Sequence, residues 1–500
     1  MKKYRFEIIL FIVEAVCMIL ELVASRVLAP YFGTSNLVWT SVIGIILLSG
    51  SIGNYFGGIV ADKPEVNRKF KNILILSALM IIIIPFIQTT VIEFIDMLFS
   101  DIRIGAILAT IVLFFIPSLF LGYLVPIVQK LKIENLETCG QVSGKVYAIA
   151  TIGGIVGTFL GGFWLVPNFG SVQILFVLAI VLLWMIPLVE EKNNFKEIAV
   201  ILISTIVLIA IMNLYSLSNE VFGDDVLNGE IGNYVSYDTQ YGRVIIYNDE
   251  QKGQLIRHLN IDSGYESATF VDEKQKYDLV YEYTKYYDWM FNSDKEINNT
   301  LMIGGAGYSY PKYYINKYSN RNMDVVEIDG EITNIAKKYF YLDDLIKEHK
   351  LEENKRLNLI TDDGRTYLNN NTKKYDAILN DAFSGSSPAE TLTTLEAVSA
   401  IKNSLTENGL YLTNIISSLE GENSKFIKSE VKTLKEVFLN VYIIPCNTLE
   451  DLYLTQNNMV VATDGKLDID EARLYNLTID DNDIVITDDY CPIDKLNPKR

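Results

Sequence analysis

The sequence predicts an α-helical membrane domain of about seven spans, followed by an α/β domain that opens with a small antiparallel β unit. Three observations lead there. Long apolar windows crowd the first 217 of the 500 residues. The hydrophobic period shortens after residue 218, and short apolar strands then recur at intervals of about 20–35 residues, separated by helical stretches. Composition agrees, because half of the chain is hydrophobic and its mean hydropathy is +0.21, which excludes a wholly soluble enzyme. Charge is unevenly shared: residues 1–217 hold 14 Lys and Arg against 13 Asp and Glu, whereas residues 218–500 hold 29 against 48, a net −19. Such a domain repels phosphate backbones, so no nucleic acid partner is expected, and it attracts small cations.

A bilayer core of about 30 Å takes about 20 residues of apolar helix. Windows of that kind lie at 8–28, 38–60, 73–95, 104–128, 146–166, 172–189 and 198–217. The first has no small-residue cleavage site behind it and reads as a retained span. The connecting segments alternate in charge. Lys2, Lys3 and Arg5, then Lys63, Arg68, Lys69 and Lys71, then Lys130, Lys132 and Lys145, then Lys192 and Lys196 are basic, and the segments between are nearly bare. The positive-inside rule puts the amino terminus of a multi-pass cell-membrane protein in the cytoplasm, and an odd number of spans puts residues 218–500 outside. A re-entrant pair within 146–189 would reverse that side. Outside, Cys446 and Cys491 are expected to oxidise to a disulfide; inside they stay thiols. Gly53 and Gly57, and Gly153, Gly157 and Gly161, stand at the four-residue spacing that lets helices approach closely. Glu14, Glu21 and Arg26 read as a structural Glu–Arg pair or as part of a transport path.

In the second half, 218–233 reads as a polar linker, 234–276 as the β unit, 277–465 as the α/β domain and 466–500 as an acidic tail. Strands are expected at 300–303, 323–328, 357–360, 376–379 and 410–415, with 441–444 and 459–462 closing the sheet. Chemistry-bearing motifs sit at four consecutive strand ends. LMIGGAGYSYP supplies Gly304, Gly305 and Gly307, which allow a tight turn against a ligand. VVEIDG places Glu327 22 residues after Gly305, where a carboxylate can accept ribose hydroxyls. DDGRTYL places Asp362, Asp363 and Gly364 where an adenine amino group would lie, and YDAILNDAFSG ends the fourth strand with Asp381. The third glycine and pyrophosphate cradle of an NAD site are missing, so adenosine without pyrophosphate fits better. Each Asp taken singly reads as readily as a cap or turn residue. Two histidines and four dispersed cysteines argue against a metal site and against Ser-His or Cys-His catalysis.

In this order and spacing IGGAGYSYP, VVEIDGEI, DDGRTYL and YDAILNDAFSGSSPAETLTTLEAVSAIKNSLTENGLYLTN, with the β unit before them, resemble the polyamine aminopropyltransferases (spermidine synthases) over about residues 232–465. LELVASRVLAPYFGTSN resembles the helical part of their membrane-fused relatives. The resemblance implies a methyltransferase-like Rossmann fold. It implies transfer of an aminopropyl group from decarboxylated S-adenosylmethionine, a co-substrate and not a permanently bound cofactor, to putrescine, with release of methylthioadenosine. By motif position it implies Gly304, Gly305 and Gly307 in the nucleoside turn, Glu327 on the ribose and Asp363 and Gly364 on the adenine. Gln240 would be the nucleoside-contacting glutamine of the β unit, and Asp381 the general base on the acceptor amine. The implied partners are a putrescine-like amine, a nucleoside sulfonium and the lipid bilayer, with a homo-oligomer left open.

Three departures fall on the amine side. The Asp of the family's turn is Gly307 here, the second Asp of its catalytic loop is Ser384, and its Tyr-His/Gln-Glu triplet is Val280, Tyr281 and Glu282. Gly307→Asp and Ser384→Asp are therefore expected to strengthen diamine binding. Two other readings stay open: an S-adenosylmethionine-dependent methyltransferase, and a transporter or sensor whose carboxyl-terminal domain binds an adenosine compound or polyamine without turnover. The resemblance also meets a conflict, because sulfonium nucleosides are made in the cytoplasm while the loop charges put the second half outside.

Overall fold

The computed structural model describes residues 4–33, 36–99, 101–133, 135–189, 195–262, 264–384 and 387–496. Its contacts divide the chain into two units, Met1–Phe222 with Ser236–Val244, and Gly223–Val235 with Ile245–Arg500.

Among the described residues of the first unit seven helices are long and apolar enough to cross a membrane: Arg5–Phe32, Asn36–Ala61, Val66–Leu98, Ile102–Lys132, Cys139–Asn168, Ser171–Val189 and Phe195–Leu214. These match the seven expected windows, and 146–189 falls within two separate helices. Their inward faces are sequestered, as at Leu10, Val13, Leu20 and Leu28, while Leu47, Phe159, Phe163 and Ile206 stay exposed, a surface suited to hydrocarbon. The small-residue faces explain the closest contacts. A Cβ on Gly153 would stand 2.3 Å from the Phe11 carbonyl oxygen and one on Gly157 2.4 Å from that of Ala15, so the first and fifth long helices meet backbone to backbone. Gly53 abuts the carbonyl of Leu119 in the same way.

Ion pairs join the segments that the sequence marks as basic. Glu7 takes Lys132 at 2.8 Å and Lys145 at 3.6 Å, Asp62 takes Lys130 at 2.9 Å, and Glu197 takes Lys71 at 2.9 Å. Lys71, Lys130, Lys132 and Lys145 thus gather with their acidic partners at one end of the bundle. The last helix does not stop with its apolar window but runs on to Leu227, so the first part of the expected linker 218–233 is helical.

Two sheets follow, the larger of them in the second unit. Strands β1 (Tyr234–Asp238), β2 (Arg243–Gln251), β3 (Gln254–Ile261) and β4 (Gly264–Phe270) lie in that order in a four-stranded sheet, with β3 and β4 antiparallel. After them come β5 (Asn299–Ile303), β6 (Asn322–Glu327), β7 (Leu357–Thr361) and β8 (Tyr375–Asn380). The two-residue strands β9 (Phe383–Ser384) and β10 (Ser387–Pro388) pair with each other. Then follow β11 (Leu405–Ser417), β12 (Asn440–Pro445) and β13 (Gln456–Thr463). The seven-stranded sheet has the order β12-β13-β11-β8-β5-β6-β7. Its five strands β11, β8, β5, β6 and β7 are parallel, and β13 runs antiparallel to β11 and β12. Every residue of β8 is buried, as expected of a parallel strand covered on both faces. This is the doubly wound Rossmann-like α/β sheet that the sequence predicts, and the order reverses between β5 and β8, its topological switch point.

The segment expected as an acidic tail packs into this unit. Leu477, Ile486 and Ile493 join the core formed by Leu301, Ile378, Tyr411 and Val460, and Asp488 pairs with Arg365 at 2.8 Å. Cys446 and Cys491 are both free thiols. The first sulfur lies at the Ile444 carbonyl and the second beside Thr393, so the expected disulfide is not formed.

The glycine contacts can be tested directly. Gly157→Val is expected to force the first and fifth helices apart and to destabilise the protein by about 1–3 kcal/mol, the usual cost of overpacking. Gly44→Val, at a position with nothing within 4 Å of a new Cβ, is expected to leave the unfolding temperature in detergent unchanged.

Candidate active site

The turn after β5 owes its shape to glycine and to one carboxylate. Gly304 has φ +91°, and a Cβ there would stand 2.6 Å from the carbonyl oxygen of Asp381, so only hydrogen fits between the two strand ends. Ala306, at φ +42°, continues the left-handed path. Glu327, at the end of β6, then fixes the turn. Its Oε2 accepts the amides of Gly305 at 2.7 Å and Ala306 at 3.0 Å, and its Oε1 accepts that of Asp329 at 3.1 Å. Burial raises the pKa of this carboxyl, and the three backbone amides pull in the other direction.

Asp381 follows β8, with its amide donated to the Ile303 carbonyl at 2.9 Å. Its Oδ2 accepts the Tyr283 hydroxyl at 3.2 Å and its Oδ1 accepts the Asn414 side-chain amide at 3.4 Å. Burial pushes its carboxyl up to about 6, against the hydrogen bonds from Tyr287, Asn414 and Tyr283. Asp381 and the turn Gly304–Ala306 line one cavity of about 660 Å³, together with Glu266, Tyr281, Tyr283 and Tyr310. A buried carboxylate at a switch point, walled by tyrosine rings, can hold a cation and accept a proton.

Of the residues expected from the sequence, Tyr281, Glu282, Gly304, Gly305 and Asp381 line this cavity. Glu327 stands behind it, joined through the amides of Gly305 and Ala306. Asp363 caps the helix Gly364–Asn370, accepting the Thr366 amide at 2.8 Å, and a Cβ on Gly364 would press on Ile303 at 2.6 Å; neither residue lines the cavity. Gln240 lies in the turn between β1 and β2, in the segment Ser236–Val244 that groups with the first unit. Ser384 belongs to β9, and its side chain lies outside the described residues. Gly307 is closed off, because a Cβ there would stand 2.5 Å from Ser267 Oγ and 2.9 Å from its Cβ. A side chain at position 307 would therefore meet Ser267 of β4.

Sequence reasoning missed Glu266, Tyr283, Asn414 and Asn457, all of which line the cavity. One signal was available for Glu266: it is an acidic residue inside an otherwise uncharged strand, Gly264–Phe270.

Residues 289–465 match the model of the spermine/spermidine synthase domain. Over 156 residues the chain is 33% identical to the polyamine aminopropyltransferase of Vibrio vulnificus, a match that covers 31% of this chain and 47% of that protein. Over 180 residues it is 29% identical to the polyamine aminopropyltransferase of Thermoplasma volcanium, covering 35% and 59%. The chain thus spans about half the length of these curated relatives. Among solved structures it resembles a probable spermidine synthase from Corynebacterium glutamicum, with 20% identity, a TM-score of 0.38 and coverage of 46% of this chain and 80% of that one.

Glu327→Ala is expected to lower the stability of the ligand-free protein by about 1–3 kcal/mol, because buried turn amides lose their acceptor. It is expected to weaken nucleoside binding in parallel. Unfolding midpoints and calorimetry with methylthioadenosine check the two effects, and wild-type values in both would remove Glu327 from the support of the turn.

Proposed function

We propose that this chain is a membrane-bound polyamine aminopropyltransferase. It takes decarboxylated S-adenosylmethionine as co-substrate, with no permanently bound cofactor, and putrescine is the first acceptor to test. The observation that carries this reading is the placement of Asp381 opposite the Gly304–Ala306 turn in one tyrosine-walled cavity at the switch point, in a stretch that matches the spermine/spermidine synthase domain model.

The chemistry asks little more of the protein. A sulfonium is already a good leaving group, so the site must align an amine with the carbon–sulfur bond and take its proton. The amine nitrogen attacks the methylene carbon next to sulfur and a C–N bond forms. The C–S bond breaks with its electrons going to sulfur, which leaves as the neutral thioether of methylthioadenosine. Asp381 accepts the proton shed by the nitrogen. Glu327 holds the turn whose glycines let the nucleoside approach backbone, and Tyr281, Tyr283 and Tyr310 exclude water and offer ring faces to the cation.

Asp381→Asn is expected to leave methylthioadenosine binding within about twofold while lowering turnover by about 10²–10⁴, the general-base contribution. In the wild type the rate is expected to fall as pH drops through about 6, where burial has raised the carboxyl of Asp381, because the protonated acid cannot accept a proton. The assay is release of methylthioadenosine from purified protein given decarboxylated S-adenosylmethionine and a panel of amines. Formation of S-adenosylhomocysteine from S-adenosylmethionine would instead support methyl transfer, and binding without any product would support a sensor or transporter.

The seven apolar helices are taken to cross the cell membrane, with the ion-paired basic end of the bundle facing the cytoplasm. Seven crossings then bring the chain out on the far side after Leu214. Reporter fusions after Lys132 and after Leu214 are expected to read cytoplasm and exterior, respectively. A cytoplasmic reading after Leu214 would mean that one helix does not cross, and would return the catalytic unit to the compartment where its sulfonium substrate is made.

A further inference from the structure

Glu266 is a cavity carboxylate that the reaction above leaves unused. In the β3–β4 ladder Leu259 stands opposite Ser267 and Asn260 opposite Tyr265, so Glu266 is skipped and has no partner across the strands. A residue extruded in this way is a bulge, a device that re-aims a side chain and is frequent beside active sites. Here it places Glu266 in the wall of the cavity that holds Asp381. The lining contains no Lys or Arg among the described residues, so Glu266, Asp381 and Glu282 share it with no basic residue in the wall. Burial, with the charges of Asp381, Glu327 and Asp262 added, pushes Glu266 up to about 8.

Two further features point to a ligand that donates hydrogen bonds. Asn414 is 4% exposed and lends its side-chain nitrogen to Asp381, but its Oδ1 is buried without a partner, as is Asn457 Oδ1; both residues line the same cavity. A primary ammonium has three N–H donors and one positive charge, which matches carbonyl oxygens beside carboxylates. The closure of Gly307 by Ser267 adds the complement. A Cβ at position 307, where the resemblance would set an amine-binding carboxylate, meets the Ser267 side chain, and the residue just before Ser267 carries a carboxylate.

We propose that Glu266 determines specificity by binding a primary ammonium group of the amine-bearing substrate, in place of the carboxylate that is missing at position 307. The proposal rests on the aminopropyl-transfer reading and deepens it. The ammonium can come from the aminopropyl arm of the donor or from the acceptor diamine.

Calorimetry on the purified full-length protein, wild type and Glu266→Gln, separates these sources with three probes. Methylthioadenosine has no amine and is expected to bind both proteins within about twofold, whereas decarboxylated S-adenosylmethionine or putrescine is expected to lose about tenfold or more in the variant. Loss for the sulfonium alone assigns the donor's arm; loss for putrescine alone assigns the acceptor. Glu266→Asp, which keeps the charge but draws it back by one methylene, is expected to lose less than the amide and guards against a folding defect. Equal affinities of wild type and Glu266→Gln for both amine probes overturn the proposal, as does a wild type that binds neither, or a variant that also loses methylthioadenosine. A wild type that fails to bind methylthioadenosine refutes aminopropyl transfer instead, and the putrescine arm then decides the role of Glu266 by itself.

Discussion

Gly304 and Asp381 touch through their backbones, at the point where the chain has laid β6 and β7 on one side of β5 and returns to lay β8 on the other. No side chain fits between them, since a Cβ on Gly304 would stand 2.6 Å from the Asp381 carbonyl oxygen. That abutment sets the floor of the cavity and the distance of closest approach for anything bound over the turn. Glu327 depends on it in turn, because the turn must rise steeply from Gly304 for the amides of Gly305 and Ala306 to reach one carboxylate oxygen. The parallel sheet supplies the rigidity that such a turn needs, with Ile303 bonded to the amide of Asp381 and Val326 to that of Gly304.

The electrostatics of the cavity follow from its walls. Tyrosine rings and buried strand ends keep water away from Asp381 and Glu266, and desolvation is the largest cause of the raised pKa of each. A carboxylate held in such surroundings gains more from an arriving cation than one in water does, because the interaction is screened less. The net −19 of residues 218–500 adds a long-range attraction for the same kind of ligand.

Much of this was readable from residue order. The seven apolar windows became the seven long helices, and every expected strand of the large sheet formed, because runs such as TLMI and DAIL are mostly apolar and bounded by glycine or acidic turns. Gly304, Gly305 and Asp381 were legible for the same reason, standing directly at strand ends. Glu266 was not, since a one-residue slip in pairing turns a side chain to the other face and leaves no trace in the two-residue period. Asn414 was hidden in the strand Leu405–Ser417, where it is one of several polar residues. Leu477, Ile486 and Ile493 were diluted among acidic residues, so composition described a solvated tail where spacing across two helices makes a core.

That last packing has a consequence for biosynthesis. Ile486 and Ile493 are fully buried beside strands laid down far earlier in the chain. During translation the apolar helices emerge first, long before these residues exist, whereas the second unit must wait with part of its core open until Ile493 has left the ribosome. A nascent chain therefore carries a tethered, unfinished sheet, and its exposed apolar surface is a natural client for chaperones until the final segment docks.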